Sequence, residues 1–162
     1  MIMLVRAQEQ SSLQLTTHKP LPALQLLSLG GDKATVDFSK HALTAVHFWA
    51  TWCVPCVEEL PKLNEAQKRY RERGFHVVAI SMDGKNSSKV KKFLSEQRIT
   101  GLETVLDNGM KSYKAAMVIG LPTTLFIDRQ GRQIARSDGD LDWQSPEITE
   151  FIEQQLAAAS PK

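Results

Sequence analysis

Short apolar runs alternate here with amphipathic helical patterns, and that alternation leaves the chain few folds. Residues 43–50 form a continuous apolar run holding Val46, Phe48 and Trp49, as a buried central strand does. A helix is predicted next, from about residue 55 to 73. Val57, Leu60, Leu63, Ala66 and Tyr70 recur there at three- and four-residue steps, and Gly74 ends it. Pro61 falls inside this helix and predicts a kink. Residues 75–81 read as a second buried strand. Residues 87–98 read as a helix with Val90, Phe93 and Leu94 on one face. A short strand (104–106), a short helix (110–118), a hairpin (123–127 and 132–137) and a last helix (147–159) complete the pattern. The spacing of Met110 and Met117 on the short helix reads as core packing. The order β-α-β-α-β-α-β-β-α demands a sheet with parallel pairs and helices on both faces. Ahead of it, residues 24–29 and 34–38 flank Gly30-Gly31-Asp32 and predict a β-hairpin.

The 162 residues suit one domain. Lys plus Arg is 20 and Asp plus Glu is 18, so the net charge is +2. Such a balance gives no concentrated basic face and no reason to expect a nucleic-acid partner. Two cysteines exclude a disulfide scaffold, and no stretch reaches the roughly 18 apolar residues that span a bilayer. Met1 to Val5 is apolar, too short for the apolar region of a signal peptide. Two readings stand for it: an ordinary cytosolic start, or the stub of a signal or membrane anchor. Pro20 and Pro22 mark the entry to the domain, so residues 1–19 are expected to be a flexible segment and 20–160 the folded unit.

Both cysteines fall in Trp52-Cys53-Val54-Pro55-Cys56, where the buried strand meets the helix. Three chemistries fit a C-x-x-C pair. A structural disulfide closing so short a loop restricts the unfolded chain little, by roughly 2 kcal/mol. A structural zinc site wants four ligands, and His18, His41, His47 and His76 show no paired ligand spacing. Redox chemistry fits the position best. A thiolate at a helix N-terminus is stabilised by unpaired N–H groups, and a second thiol one turn on can resolve a mixed disulfide. Cys53 is then the outer nucleophile and Cys56 the resolving thiol. Pro55 suits the first turn, where its missing N–H would be unpaired anyway.

The segment Phe48-Trp49-Ala50-Thr51-Trp52-Cys53-Val54-Pro55-Cys56-Val57-Glu58-Glu59-Leu60-Pro61 closely resembles the active-site segment of thioredoxin-like proteins of the TlpA/ResA type. Leu121-Pro122-Thr123-Thr124-Leu125-Phe126-Ile127-Asp128 resembles their second signature, and the likeness runs from about residue 20 to 157. It implies an α/β thioredoxin fold with an N-terminal β-hairpin extension and a short insertion before the final hairpin. It implies a bacterial thiol–disulfide oxidoreductase, usually exported or membrane-anchored, with no cofactor beyond the Cys53–Cys56 disulfide. The implied role is a reductant of protein disulfides in the periplasm or cell envelope, serving cytochrome c maturation or metal-site cysteines; a cytoplasmic place stays open. Its partners would be a protein thiol or disulfide client and a separate upstream donor such as a membrane thiol reductase. A monomer is the usual working form.

The resemblance also assigns residues. Pro122 would be a cis-proline beside the cysteines, with the Leu121 backbone pairing an extended client segment. Trp52, Val54 and Pro55 would offer the rest of the docking surface. Glu59, one helical turn after Cys56, would disfavour a thiolate, make the pair a better reductant and shuttle a proton. Glu58 reads as a solvated helix residue. His47, six residues before Cys53, is a departure from the family and has two readings: a neutral proton acceptor for Cys56, or a packed core histidine. Trp49 reads as core, and Trp143 as a cover for apolar surface without a functional role. A disulfide oxidase or isomerase is the alternative within the class. A copper metallochaperone, with His41 or His76 as third ligand, is the alternative outside it.

Overall fold

The structure, a computed structural model, describes residues 13–159. Eight strands form one mixed sheet: β1 (Leu13–Pro20), β2 (Leu26–Ser28), β3 (Lys33–Ala34), β4 (Leu43–Trp49), β5 (Phe75–Ser81), β6 (Glu103–Asp107), β7 (Thr123–Asp128) and β8 (Arg132–Asp138). Four helices accompany it: α1 (Val54–Tyr70), α2 (Ser87–Glu96), α3 (Lys111–Ala115) and α4 (Pro146–Ala159). The spatial order is β1-β8-β7-β4-β5-β6-β2-β3. At its centre β4 pairs β5 in parallel and β7 antiparallel, and β5 pairs β6 in parallel. This is the thioredoxin-like α/β fold that the family resemblance implies and that the strand and helix order fits, with strands added at both edges.

Every residue of β4 is buried, because each of its faces is covered. Ala45 and Trp49 face the larger core, built with Leu60 and Leu63 of α1, Val90 of α2, and Ile148 and Ile152 of α4. Val46 and Phe48 face the smaller core, with Val78, Ile80 and Leu125 of the sheet and Tyr113 of α3. The cysteine pair lies at the C-terminal end of β4, on the face of the larger core.

Two expectations change. Residues 13–19 are not a flexible lead-in: β1 pairs β8 along the sheet edge, Leu13 opposite Ser137 and Pro20 opposite Arg132, and Thr16 Oγ1 donates to the Gln133 carbonyl at 2.9 Å. The folded unit therefore begins by residue 13, and the first 12 residues lie outside the described ones. Most of β1 is exposed, so its side chains carry no alternating apolar pattern; backbone pairing places it. The second change concerns α3, which covers only Lys111–Ala115. Met110 and Met117 bracket it with φ of 61° and 55°, in the left-handed region that interrupts the helical ladder. Both side chains are exposed, which corrects the core-packing reading. Asp107 caps the short helix instead, its carboxylate accepting from the N–H groups of Ser112 and Tyr113 at 2.9 and 2.8 Å. Pro61 lies inside α1, as the sequence places it, on the exposed side of the helix.

Candidate active site

The chain leaves β4, turns at Ala50–Trp52 and enters α1 with Cys53 as its N-cap residue. The Cys53 N–H donates to the Ala50 carbonyl at 3.2 Å, and the Cys53 carbonyl accepts from the Val57 N–H at 3.0 Å. Pro55 occupies the first turn, and no side chain caps the helix. The first-turn N–H groups therefore stay available to a sulfur at Cys53. Cys53 and Cys56 are joined in a disulfide, with Cα atoms 5.3 Å apart. Cys53 keeps 7% of its surface exposed and Cys56 none. Cys53 is thus the more exposed residue of the pair, the one nearer to a partner approaching from outside.

Asp83 pins the turn before Cys53, a role the sequence does not signal. Its carboxylate accepts from the Thr51 N–H at 3.0 Å, from the Thr51 hydroxyl, and from the Ser81 hydroxyl at 2.7 Å. The adjacent Met82 N–H donates to the Trp49 carbonyl at 2.7 Å, extending the β4–β5 pairing to the turn.

The Leu121–Pro122 peptide bond is cis, and Pro122 is buried. Leu121, Trp52 and Pro55 join Met82, Met110 and Tyr113 around a cavity of about 370 Å³ beside Cys53. Among the described residues no charged side chain lines it. Trp52 and Val54 are 63% and 67% exposed, an unusual display for large apolar groups. Trp49 is fully buried, as the sequence suggests. The residues assigned to docking thus gather around the outer cysteine.

Glu59 is buried one helical turn from Cys56, at the i,i+3 spacing that brings Cβ atoms to about 5–6 Å. Its Oε1 accepts from Trp143 Nε1–H at 2.6 Å and from the Leu141 N–H at 3.3 Å. Oε2 is buried without a hydrogen-bond partner among the described residues. Desolvation pushes the carboxyl up to about 7, against the pull of the Trp143 and Leu141 hydrogen bonds and with help from Asp140. Trp143 is therefore more than a cover for apolar surface. Glu58 is exposed, as expected.

His47 is fully buried, with Nδ1 2.9 Å from Thr124 Oγ1 on the neighbouring strand and Nε2 without a partner among the described residues. Burial pushes the imidazole down to about 3. It hydrogen-bonds neither cysteine, and so weak a base takes a thiol proton poorly at neutral pH. The packed-core reading fits this geometry. His41 and His76 stack with ring centroids 4.0 Å apart, and His76 Nε2 lies 2.6 Å from Glu103 Oε2. They sit where β4 and β5 begin, and the cysteines lie beyond the other end of β4, about 20 Å of strand away. Neither can serve as a third copper ligand beside Cys53 and Cys56.

Comparison with known proteins places these features in a family. The family described as Redoxin matches residues 16–152. The chain is 29% identical to a thiol-disulfide oxidoreductase ResA of Bacillus thuringiensis subsp. konkukian, over 88% of this chain and 78% of that one. It is 30% identical to a ResA of Bacillus anthracis, over 75% of this chain and 69% of that one. A solved thiol:disulfide interchange protein from Bacteroides sp. shares the fold, with a TM-score of 0.73 at 21% identity over 91% of this chain and 93% of that one.

Proposed function

We propose that this protein, which belongs to the Redoxin family and is a thiol–disulfide oxidoreductase of the TlpA/ResA type, works as a reductant of protein disulfides in the bacterial cell envelope. The observation that carries the direction is Glu59. A buried acid behind Cys56 opposes negative charge on the thiols, so the reduced, ionised pair gains little stabilisation. A pair whose reduced form is strongly stabilised is an oxidant; this arrangement works the other way. The uncharged Val54-Pro55 dipeptide and the uncharged cavity beside Cys53 add no cation to offset it.

In the reaction, the Cys53 thiolate attacks a client disulfide, forms a Cys53–client bond and releases one client thiolate. The Cys56 sulfur, having lost its proton to Glu59, then attacks Cys53 Sγ. The Cys53–Cys56 bond forms, the mixed disulfide breaks, and the second client sulfur leaves as a thiolate that is reprotonated. Two electrons pass from the protein dithiol to the client, and no cofactor is needed. The client docks as an extended segment along Leu121, with apolar residues against Trp52, Val54 and the Met82–Met110 cavity. A separate thiol reductase of the membrane restores the dithiol, since a compartment that oxidises thiols needs a dedicated donor. The family resemblance points to cytochrome c maturation or metal-site cysteines as the service performed.

Direction is tested by offering both substrates. The reduced protein should cut the insulin disulfides, and the oxidised protein should leave reduced, unfolded ribonuclease unoxidised. Oxidation of ribonuclease faster than reduction of insulin would overturn the reading.

A further inference from the structure

Glu59 has one oxygen tied down and one free. Oε1 accepts from Trp143 Nε1–H and from the Leu141 N–H, whereas Oε2 is buried with no hydrogen-bond partner among the described residues. An indole N–H and a backbone N–H can only donate. An oxygen that already accepts two such bonds is a poor place for a proton, so a protonated Glu59 carries its proton on Oε2. The Asp140–Asp142 segment just before Trp143 also walls a cleft of about 200 Å³, lined on the α1 side by Pro55, Glu58, Glu59 and Lys62. Glu59 thus stands between Cys56, one turn back along α1, and an opening to solvent.

We propose that Trp143 is a positioning residue for disulfide exchange: its indole N–H fixes Oε1 of Glu59, so that Oε2 takes the proton of Cys56 and hands it on through the cleft. The inference rests on Glu59 being the proton carrier and adds which oxygen carries and what holds it. The step balances. The Cys56 S–H bond breaks, an O–H bond forms at Oε2, and the sulfur keeps the electron pair with which it attacks Cys53 Sγ. Glu59 later releases that proton to water in the cleft or to the departing client thiolate. Among the described residues, the other charged groups lining this cleft are Glu58 and Lys62 from α1 and Asp140 and Asp142 from the loop before α4. His47 of β4 shares the sheet face beneath it and stays neutral throughout the range of interest.

The test follows the pH profile of resolution, read as thionitrobenzoate release from the mixed disulfide that Cys53 forms with Ellman's reagent. Removing a hydrogen bond to a carboxylate raises its pKa, so Trp143→Phe should move the profile's midpoint up by about one pH unit. In a Glu59→Gln background the same substitution should move nothing. A midpoint unmoved by Trp143→Phe, or moved equally in the Glu59→Gln background, would overturn the inference alone. A Glu59→Gln protein with the wild-type profile would instead defeat the proton-carrier reading itself. Trp143 packs on Phe75 and Phe126, so Trp143→Phe is paired with a measurement on the unaltered chain. In the oxidised protein, where the cysteines do not titrate, the Trp143 indole ¹⁵N–¹H resonance should titrate with Glu59 and go flat in Glu59→Gln. A flat resonance in the wild-type protein between pH 5 and 9 overturns the proposal whether or not the variant folds.

Discussion

Replacing Glu59 by glutamine should stabilise the oxidised protein at high pH and leave it nearly unchanged at low pH. The carboxyl is pushed from its ordinary 4.5 to about 7 by burial. Between those values the native state keeps a proton that the unfolded chain has released. Raising the pH through this window therefore costs the native state stability: nothing below 4.5, and the full amount above 7. The shift corresponds to about 3 kcal/mol at 1.36 kcal/mol per pKa unit. Glutamine is neutral at every pH and keeps an oxygen for the Trp143 N–H, so the charge penalty disappears while the hydrogen bond survives. The assay is urea unfolding of the disulfide-bonded protein from pH 4 to 8.5, wild type against variant, with equal m-values as the control. The stability difference should be constant below pH 4.5, climb through neutrality and level off with the variant about 3 kcal/mol ahead. A difference flat across that range, or one that shrinks as the pH rises, would mean that Glu59 does not hold its proton up to neutral pH in the native state. A group that costs stability in order to serve chemistry is a familiar feature of active sites.

His47 should act with the opposite sign. Its folded pKa of about 3 lies below the ordinary 6.5, so the unfolded chain takes up a proton first. Stability is then lost as the pH falls from 6.5 towards 3, by about 2–3 kcal/mol at pH 4.5 relative to His47→Asn, as acid unfolding of the pair would show. Resolution rates from pH 6 to 9 should be the same in both proteins. Asp83→Ala removes the acceptor for two Thr51 donors and for Ser81; it should cost about 1–3 kcal/mol in thermal unfolding and slow the attack of Cys53 on a disulfide in stopped-flow measurements. Trp52→Ala should raise KM for a protein client several-fold, about the effect of losing an exposed aromatic anchor, and leave the reduction potential unchanged in redox-buffer equilibria.

The parts of this molecule legible in the sequence are those with short-range causes. The continuous apolar run 43–50, the three- and four-residue steps of Val57 to Tyr70 and the Asp128–Gly131 turn each announce their element locally. The cysteines, Pro122 and Glu59 were legible because two motifs place them. What the sequence conceals is long-range or conformational. β1 owes its place to backbone pairing with β8, far along the chain, and its exposed side chains leave no periodic trace. The left-handed backbone at Met110 and Met117 turns an apparent core pair outward, and methionine gives no warning of it. Trp143 meets Glu59 across 84 residues, a contact that no local pattern encodes; a tryptophan shortly before a helix reads only as bulk. Asp83 is similarly silent until β5 brings it beside Thr51.

The Cys53–Cys56 pair is proposed to pass electrons outward to clients. The most direct test is its equilibrium reduction potential in glutathione buffers, with Cys53→Ser and Cys56→Ser as controls. A reductant should show a potential well below that of the glutathione couple, each 30 mV of separation corresponding to about 1.4 kcal/mol for this two-electron exchange. A potential well above the glutathione couple would mark an oxidase or isomerase and contradict the role given to Glu59.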